Sequence, residues 1–243
     1  MQFPGVFIEL LTVAEPENLS GDGIAAHFGG HARDALARGE EGLAMLVLES
    51  RDAKGDARAY AASGIALSDA LRFEREGRTA DGAPITVAFS VAFVEDPRSP
   101  TRFFVCEQHF PQSFWNPAFQ RHANAVVSIA GVTLVAARPS DHEAFLTTFS
   151  GVASEPAPGG LRWITPRGDI DILDPARFRE RFEAAPPDVT AGARIAALRF
   201  AARDMTALAK TLQTGGIPVT RPTAGVVIAP AAAFGATLIF SPA

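Results

Sequence analysis

Three stretches of the chain repeat one order of features: an apolar strand, a helix, and a glycine followed by a β-branched residue. They are LAMLVLESRDAKGDARAYAASGI (43–65), VTLVAARPSDHEAFLTTFSGV (132–152) and IAALRFAARDMTALAKTLQTGGI (195–217). Strand-like segments follow each copy. The repeated unit is therefore a strand, a helix and about three further strands, which indicates duplicated α+β modules rather than a solenoid.

The first and third copies match in register, and both place helix signals at the same positions. Asp52 and Asp204 stand where each helix should begin, because their side-chain oxygens can accept from backbone N–H groups that lack a partner in the helix. Gly64 and Gly216 stand where a helix end requires a positive φ. We therefore expect each copy to supply a strand, a capped helix and a stop.

The length and composition allow one large domain or two smaller ones. The chain has 243 residues, of which 47% are hydrophobic, enough for a substantial core. The turn-rich segment FPQSFWNPAFQRHAN separates the first module from the second. We predict two halves, 1–116 and 117–243, with the first containing an incomplete module followed by a complete one.

The net charge and the lengths of the apolar runs indicate which partners and which compartment the protein has. A net charge of -5 and a pI near 5.6, without clustered basic residues, argue against nucleic acid as a partner. The N-terminus has no basic region of a signal peptide, and the longest apolar stretches are shorter than the about 18 to 20 residues that span a bilayer. Cys106 has no second cysteine to pair with. The sequence thus favours a cytoplasmic protein without a membrane partner.

Several local strings resemble the glyoxalase-like domain family of the vicinal oxygen chelate superfamily, which contains glyoxalases, bleomycin-resistance proteins and dioxygenases. They are FPGVFIELL (3–11), FSVAFVEDP (89–97), FFVCEQHFPQSFWNPAFQRHANA (103–125), GVTLVAARPSDHEAFLTTFSGV (131–152), ITPRGDIDILDP (164–175) and FGATLIF (234–240). The resemblance implies an α+β fold in which repeated βαβββ modules form two cup-shaped mixed sheets. It also implies a bacterial protein whose first module lacks its opening strand and helix, with FPGVFIELL as the last strand of that module.

The resemblance implies metal ligands on the first and last strands of the modules. Glu9 and His109 are our predicted metal ligands and catalytic acid/base groups, because a carboxylate and an imidazole suit a divalent transition metal. The cofactor would be nickel, zinc, manganese or iron, or there would be none. Alternatively, both side chains are polar groups at strand ends. Met45 and Ala197 fall near other ligand positions and cannot bind such an ion.

Strand alternation places Glu107 and His109 on one face of the strand TRFFVCEQHF, which we expect to line the concave side of the cup. Arginines suit the carboxylate or phosphate of a substrate, and a tryptophan can stack on a ligand. Each such residue is also open to a structural interpretation. The predicted substrate-binding residues are Glu107, Arg75, Ser90, Trp115 and Arg167.

Other polar residues are weaker candidates. His27 and His31 have the i, i+4 spacing of a helical metal site, but two glycines between them cost a helix about 1 kcal/mol each. His122 and Asn124 are expected to be turn residues with local hydrogen bonds. We expect His142 to be solvated in the first turn of a helix.

Three functions remain open from sequence alone. The first is a metal-dependent lyase, isomerase or dioxygenase acting on a small oxygenated molecule. The second is a metal-free protein that binds or sequesters a small molecule on the same fold, comparable to the bleomycin-resistance proteins. In the third, the modules only assemble oligomers, since an incomplete first module exposes a sheet edge that a second copy could cover in a homodimer.

Overall fold

The structure is a computed structural model that describes residues 1–19, 21, 23–78 and 82–243. The strands are β1 (Gln2–Phe3), β2 (Val6–Phe7), β3 (Met45–Ser50), β4 (Leu71–Arg78), β5 (Pro84–Val94), β6 (Arg102–Gln108), β7 (Val126–Val135), β8 (Ser154–Ala157), β9 (Gly160–Trp163), β10 (Asp169–Leu173), β11 (Arg194–Ala202), β12 (Val226–Ile228) and β13 (Thr237–Pro242). The α-helices are α1 (His31–Ala37), α2 (Ala53–Ala62), α3 (Pro111–Phe114), α4 (Glu143–Ser150), α5 (Pro175–Phe182) and α6 (Met205–Thr214). A π-helical turn, Ala25–Gly30, leads directly into α1.

The strands form two large sheets with a repeated topology. The four-stranded sheet has the order β3-β6-β5-β4, and the seven-stranded sheet has the order β12-β13-β11-β7-β10-β9-β8. The first and last strands of each module are parallel neighbours, as in β3 with β6, β7 with β10 and β11 with β13. The predicted α+β fold of repeated modules is confirmed. The division into halves at residue 116 stays a prediction.

The helix signals read from the sequence act as expected. Asp52 Oδ1 accepts from the Gly55 N–H at 2.9 Å, and Asp204 Oδ1 accepts from the Thr206 N–H at 2.8 Å. Gly64 and Gly216 follow α2 and α6 with φ of +73° and +62°. Within the described residues, no helix is both long enough and apolar enough to cross a bilayer.

The N-terminal segment differs from its prediction. FPGVFIELL is not one strand, because β1 and β2 pair antiparallel in a short hairpin that turns at Gly5, where φ is +75°. The Pro-Gly pair within it is a turn signal, and it outweighs the apolar residues on either side.

Helix α5 was not predicted, although its local signals are present. Asp174 Oδ1 accepts from the Arg177 N–H at 2.8 Å, and Pro175 occupies the first helical position. Strand β8, another unpredicted element, extends the seven-stranded sheet at its edge.

The largest apolar cluster lies between the two sheets. Leu46 and Phe103 contribute from the four-stranded sheet, and Leu134 and Ile172 from the seven-stranded sheet. The Phe103 ring lies 4.9 Å from that of Phe145 on α4. Both sheets therefore share one core, with α2 and α4 contributing to it.

His142 is buried, which contradicts the expectation that it is solvated. Its side chain is 7% exposed, and its Nδ1 lies 2.6 Å from Oδ2 of Asp96, which is 2% exposed. Burial alone would raise the pKa of Asp96, but the hydrogen bonds from His142 and the Arg98 N–H outweigh it and hold that pKa below its usual value. The pair joins the loop between β5 and β6 to the start of α4.

We expect Asp96→Ala to lower the free energy of unfolding by about 3 kcal/mol, because it leaves His142 buried without its carboxylate partner. Since the pKa of Asp96 is lowered by folding, its contribution is present at neutral pH and is lost as the pH falls below about 3.9, the usual aspartate value. Urea unfolding of both proteins at neutral and acidic pH measures this. The exposed Asp69 supplies the control Asp69→Ala, expected within about 0.5 kcal/mol of wild type. Equal effects of the two substitutions at neutral pH would contradict the prediction.

Candidate functional site

The four-stranded sheet has two differently covered faces. One, which we call the α2 face, carries Leu46 and Val105 and packs against α2 and the shared core. The other, which we call the inner face, carries Phe93, Phe104 and Cys106 and packs beneath the turn that precedes α1. A ligand that avoids the shared core can reach only the inner face or the ends of the strands.

Glu107 lies on the α2 face, where it completes the start of α2. Its Oε2 accepts from the Ala53 N–H at 3.0 Å. Negative charge is favoured at this end of a helix, because the first N–H groups have no partner within the helix. The positions of β6 that alternate with Cys106 face α2, so Glu107 faces α2, and its use in substrate binding stays a prediction.

His109 belongs to the same polar group as Glu107. Its Nε2 lies 2.8 Å from Ser90 Oγ, and its Nδ1 lies 3.7 Å from Glu107 Oε1. Ser90 is buried and pairs across the strands with Glu107. The structure thus brings together three predicted site residues, Ser90, Glu107 and His109, but on the α2 side of the sheet.

Glu9 lies apart from this group. Its residue surface is exposed, yet neighbouring atoms crowd the carboxylate; this desolvation raises its pKa, and the Met1 ammonium group opposes the effect. The carboxylate is close enough to Cys106 to raise the pKa of that thiol. No hydrogen bond or ion pair joins Glu9 to His109 in the part of the chain that the structure describes.

These positions do not fit a metal centre. In the residues described, no three His, Cys, Asp or Glu side chains converge in a group that could hold a metal ion. Glu9 and His109 sit in separate surroundings, and His109 already contacts Ser90 and Glu107. Their assignment as ligands and catalytic groups remains a prediction.

The remaining predicted residues are distributed around the sheet. Arg75 is exposed on β4. The half-buried Trp115 meets Phe7 and Phe114 edge-on, with ring centroids 5.9 and 5.0 Å away. Arg167 donates to the Gly5 carbonyl at 2.6 Å and pairs with Glu49 at 3.1 Å. Trp115 and Arg167 therefore contact the N-terminal hairpin, while Arg75 lies on the outer strand of the sheet.

Aromatic residues cover the inner face at both ends. Near α1, Phe28 lies over Phe104 with ring centroids 6.0 Å apart. At the other end, Phe114 meets Phe89 at 5.8 Å. Cys106 lies between these two contacts, because it follows Phe104 along β6 and precedes Gln108, which pairs with Phe89.

The thiol of Cys106 is held in its neutral form. Burial raises its pKa to about 12, and the Glu9 and Glu107 carboxylates add to the effect. A neutral thiol is a weak nucleophile. Cys106 is therefore part of the apolar floor of the inner face.

In the seven-stranded sheet, helix α5 occupies the corresponding face. Phe178 and Phe182 are fully buried against a cluster that includes Ala197 and Ile239. Beside them, the buried Asp171 carboxylate is surrounded by arginines, at 2.7 Å from Arg162, 2.8 Å from Arg181 and 3.5 Å from Arg199. This face is filled by protein side chains, so the position of Ala197 offers no open site.

Three other histidines contact different parts of the chain. His27 and His31 do lie on helical backbone despite the glycines, with His27 stacked on Phe93 at 5.0 Å and His31 Nε2 at 3.1 Å from the Ala44 carbonyl oxygen. His122 and Asn124 do make local hydrogen bonds, since the His122 carbonyl accepts from the Ala125 N–H at 3.0 Å and Asn124 Oδ1 accepts from the Val126 N–H at 3.2 Å. The His122 side chain in addition contacts the hairpin, with Nε2 2.7 Å from the Gln2 carbonyl oxygen.

Sequence comparison identifies the family. Residues 1–149 match the model of a family described as a glyoxalase-like domain. The chain belongs to the glyoxalase-like domain family. A search of the curated proteins found no significant match.

Three solved structures align with this glyoxalase-like protein at low sequence identity. A hypothetical protein from Staphylococcus aureus aligns with a TM-score of 0.55 and 11% identity, covering 88% of this chain and 71% of that chain. A mutant of 4-hydroxymandelate synthase from Streptomyces coelicolor aligns with a TM-score of 0.45 and 14% identity, covering 73% of this chain and 54% of that chain. Methylmalonyl-CoA epimerase from Mycobacterium tuberculosis aligns with a TM-score of 0.37 and 19% identity, covering 51% of this chain and 93% of that chain. The first of these shows the fold alone.

We expect Glu107→Ala to lower the free energy of unfolding by about 1 kcal/mol, because the Ala53 N–H loses its acceptor. Glu107→Gln keeps an acceptor oxygen and should cost less. The control is Glu74→Ala, which removes an exposed ion pair with Arg72 and should change stability by less than about 0.5 kcal/mol. Urea unfolding compares the three variants; no difference between Glu107→Ala and Glu74→Ala would show that Glu107 does not cap α2.

We expect the single cysteine to react with a disulfide reagent at pH 8 at least about a hundredfold more slowly in the folded protein than in urea, because the thiolate is the reactive form. Release of the chromophore of Ellman's reagent measures both rates on the same preparation. Similar rates in the two states would mean that the thiol is neither shielded nor held neutral.

Proposed function

We propose that this glyoxalase-like protein binds a small molecule without the help of a metal ion. One observation carries the proposal: Glu9 and His109, the pair expected to hold the metal, occupy separate surroundings at the four-stranded sheet. A fold of this family can keep its modules while its polar groups serve other purposes. Of the functions open from sequence, binding or sequestering a ligand accords best with this placement.

The polar groups near His109 are already used to stabilise the fold. Glu107 completes the start of α2, and His109 has Ser90 beside one ring nitrogen and Glu107 beside the other. His109 would have to break its contact with Ser90 before Nε2 could bind a metal. This supports a structural role for the group more than a catalytic one.

The inner face supplies the features of a ligand site. Its floor is apolar around Phe104 and Cys106, and Trp115 belongs to an aromatic cluster at one end. Small-molecule sites commonly combine apolar walls with a few polar groups that fix orientation. We propose Trp115 as a stacking group and Arg75 and Arg167 as anchors for an anionic substituent, with Glu9 as a further polar contact.

The test begins with the metal content of the protein purified without chelators. We expect well below one equivalent of nickel, zinc, manganese or iron, and no increase in the unfolding temperature when each ion is added, because no described group of side chains offers three ligands. Bovine carbonic anhydrase, handled in parallel, serves as a positive control for metal retention.

A second measurement asks for turnover. An α-keto aldehyde, a catechol and an acyl-CoA ester are each incubated with the wild-type protein and with His109→Ala, with Arg203→Ala as an exposed control. We expect no turnover above background in any of them. Stoichiometric metal, or turnover that His109→Ala abolishes and Arg203→Ala retains, would overturn the proposed function.

A further inference from the structure

A cavity of about 520 Å³ lies where α1, the start of β6 and the start of β11 meet. Its lining includes His31 from α1, Arg102 from β6 and Arg194 from β11. These three residues lie far apart in the sequence, so neither their spacing nor the family resemblance grouped them. A cavity of this size can hold a small metabolite.

The charged lining of this cavity is mainly basic. Among the residues that the structure describes, four arginines and two carboxylates line it, a formal excess of two positive charges in a chain of net charge -5. The lining residues of this kind are Arg33, Arg38, Arg102, Arg194, Asp34 and Glu40. Such a concentration of positive charge favours an anion.

Both carboxylates are already paired. Glu40 binds Arg38 at 3.0 Å and Arg194 at 2.9 Å, and these two hydrogen bonds lower its pKa to about 2. Asp34 pairs with Arg33 at 2.8 Å. The two carboxylates thus pair with three of the arginines, and no described residue of the cavity wall supplies a counter-ion to the fourth.

Arg102 is that fourth arginine. Within the part of the chain that the structure describes, its guanidinium makes no hydrogen bond or ion pair, and its buried Nε has no partner. Burial lowers its pKa, and the Glu95 charge opposes this only from a distance. An unpaired, partly desolvated guanidinium is unfavourable, and a bound anion would offset that cost through charge-assisted hydrogen bonds.

His31 lies next to Arg102, and its pKa responds to the charge there. Its Nε2 lies 3.1 Å from the Ala44 carbonyl oxygen, which assigns the ring proton to that nitrogen and leaves Nδ1 free to accept. Burial lowers the pKa of His31, and the Arg102 and Arg38 charges lower it further, while Asp34 opposes them. A negative ligand beside Arg102 would act in the opposite direction and raise this pKa.

We propose that this cavity, the Arg102 pocket, binds the carboxylate or phosphate group of a small organic anion, with Arg102 as its anchor. The two Nη groups of a guanidinium can hold two oxygens of such a group side by side. Arg38 and Arg194, fixed by Glu40, add positive charge at the wall. The inference rests on the proposed small-molecule function, and it adds a ligand class and a second binding position, separate from the one near Trp115.

Isothermal titration with succinate and with inorganic phosphate tests the pocket. We expect the wild-type protein to bind at least one of them at one site, and Arg102→Met to bind it at least about tenfold more weakly, the loss of one or more charge-assisted hydrogen bonds. Arg203→Met, at an exposed arginine outside the cavity, should bind like wild type. Succinate alone or phosphate alone would each support the pocket and identify the group it accepts.

A structural role for Arg102 gives a different result. If its charge stabilised the fold, Arg102→Met would lower the unfolding temperature, whereas we expect no decrease because the guanidinium has no partner to lose. Wild-type binding by Arg102→Met, or no binding of either anion by the wild type, would overturn the inference.

NMR of the wild-type protein provides a readout that does not depend on the Arg102 variant folding. The His31 ring resonance, assigned by its absence in His31→Gln, should titrate at a higher pH when the binding anion is present. An unchanged His31 titration at saturating anion would overturn the pocket. Stoichiometric metal in the purified protein would instead overturn the proposed function and leave anion binding at Arg102 unaffected.

Discussion

The apolar core between the two sheets is the constraint on which the rest of the structure depends. Phe103 from one sheet and Ile172 from the other are both nearly or fully buried in it, and α4 packs its phenylalanines against Phe103. Burial on this scale is the main favourable contribution to folding. Because this core occupies the α2 face of the four-stranded sheet, a ligand is left with the inner face and the strand ends.

The same constraint explains the surroundings of Glu107 and His109. They follow core residues on the α2 face of β6, so their side chains emerge beside the first turn of α2. There the unpaired Ala53 N–H needs an acceptor, and Glu107 supplies it. A carboxylate at a strand end can act in catalysis or can cap a neighbouring helix. A hydrogen bond from an N–H group in the first turn of the helix indicates the capping role.

Within the glyoxalase-like family, the fold of this chain is therefore more informative than its chemistry. The modules, their parallel first and last strands and their helices are all present. The inner side of the seven-stranded sheet, however, is filled by α5 and by the arginines around Asp171. Protein side chains therefore fill this side of the seven-stranded sheet. The proposed Arg102 pocket lies instead at the α1 end of the four-stranded sheet.

The sequence by itself determined the features that depend on nearby residues. Asp52 and Asp204 cap helices within three positions, and Gly64 and Gly216 end them, so the repeat and the α+β fold could be predicted from local signals. The alternation along β6 was also predicted correctly, with Glu107 and Cys106 on opposite faces.

Only the tertiary structure decided which face of β6 the helix α2 would cover, and so which side chains a ligand could reach. It also buried His142 against Asp96, 46 positions away, and brought Arg102 beside α1 and Arg194. The physical reason is that such contacts join residues far apart in the chain. Their geometry follows from how the sheets pack, which periodicity and spacing do not specify.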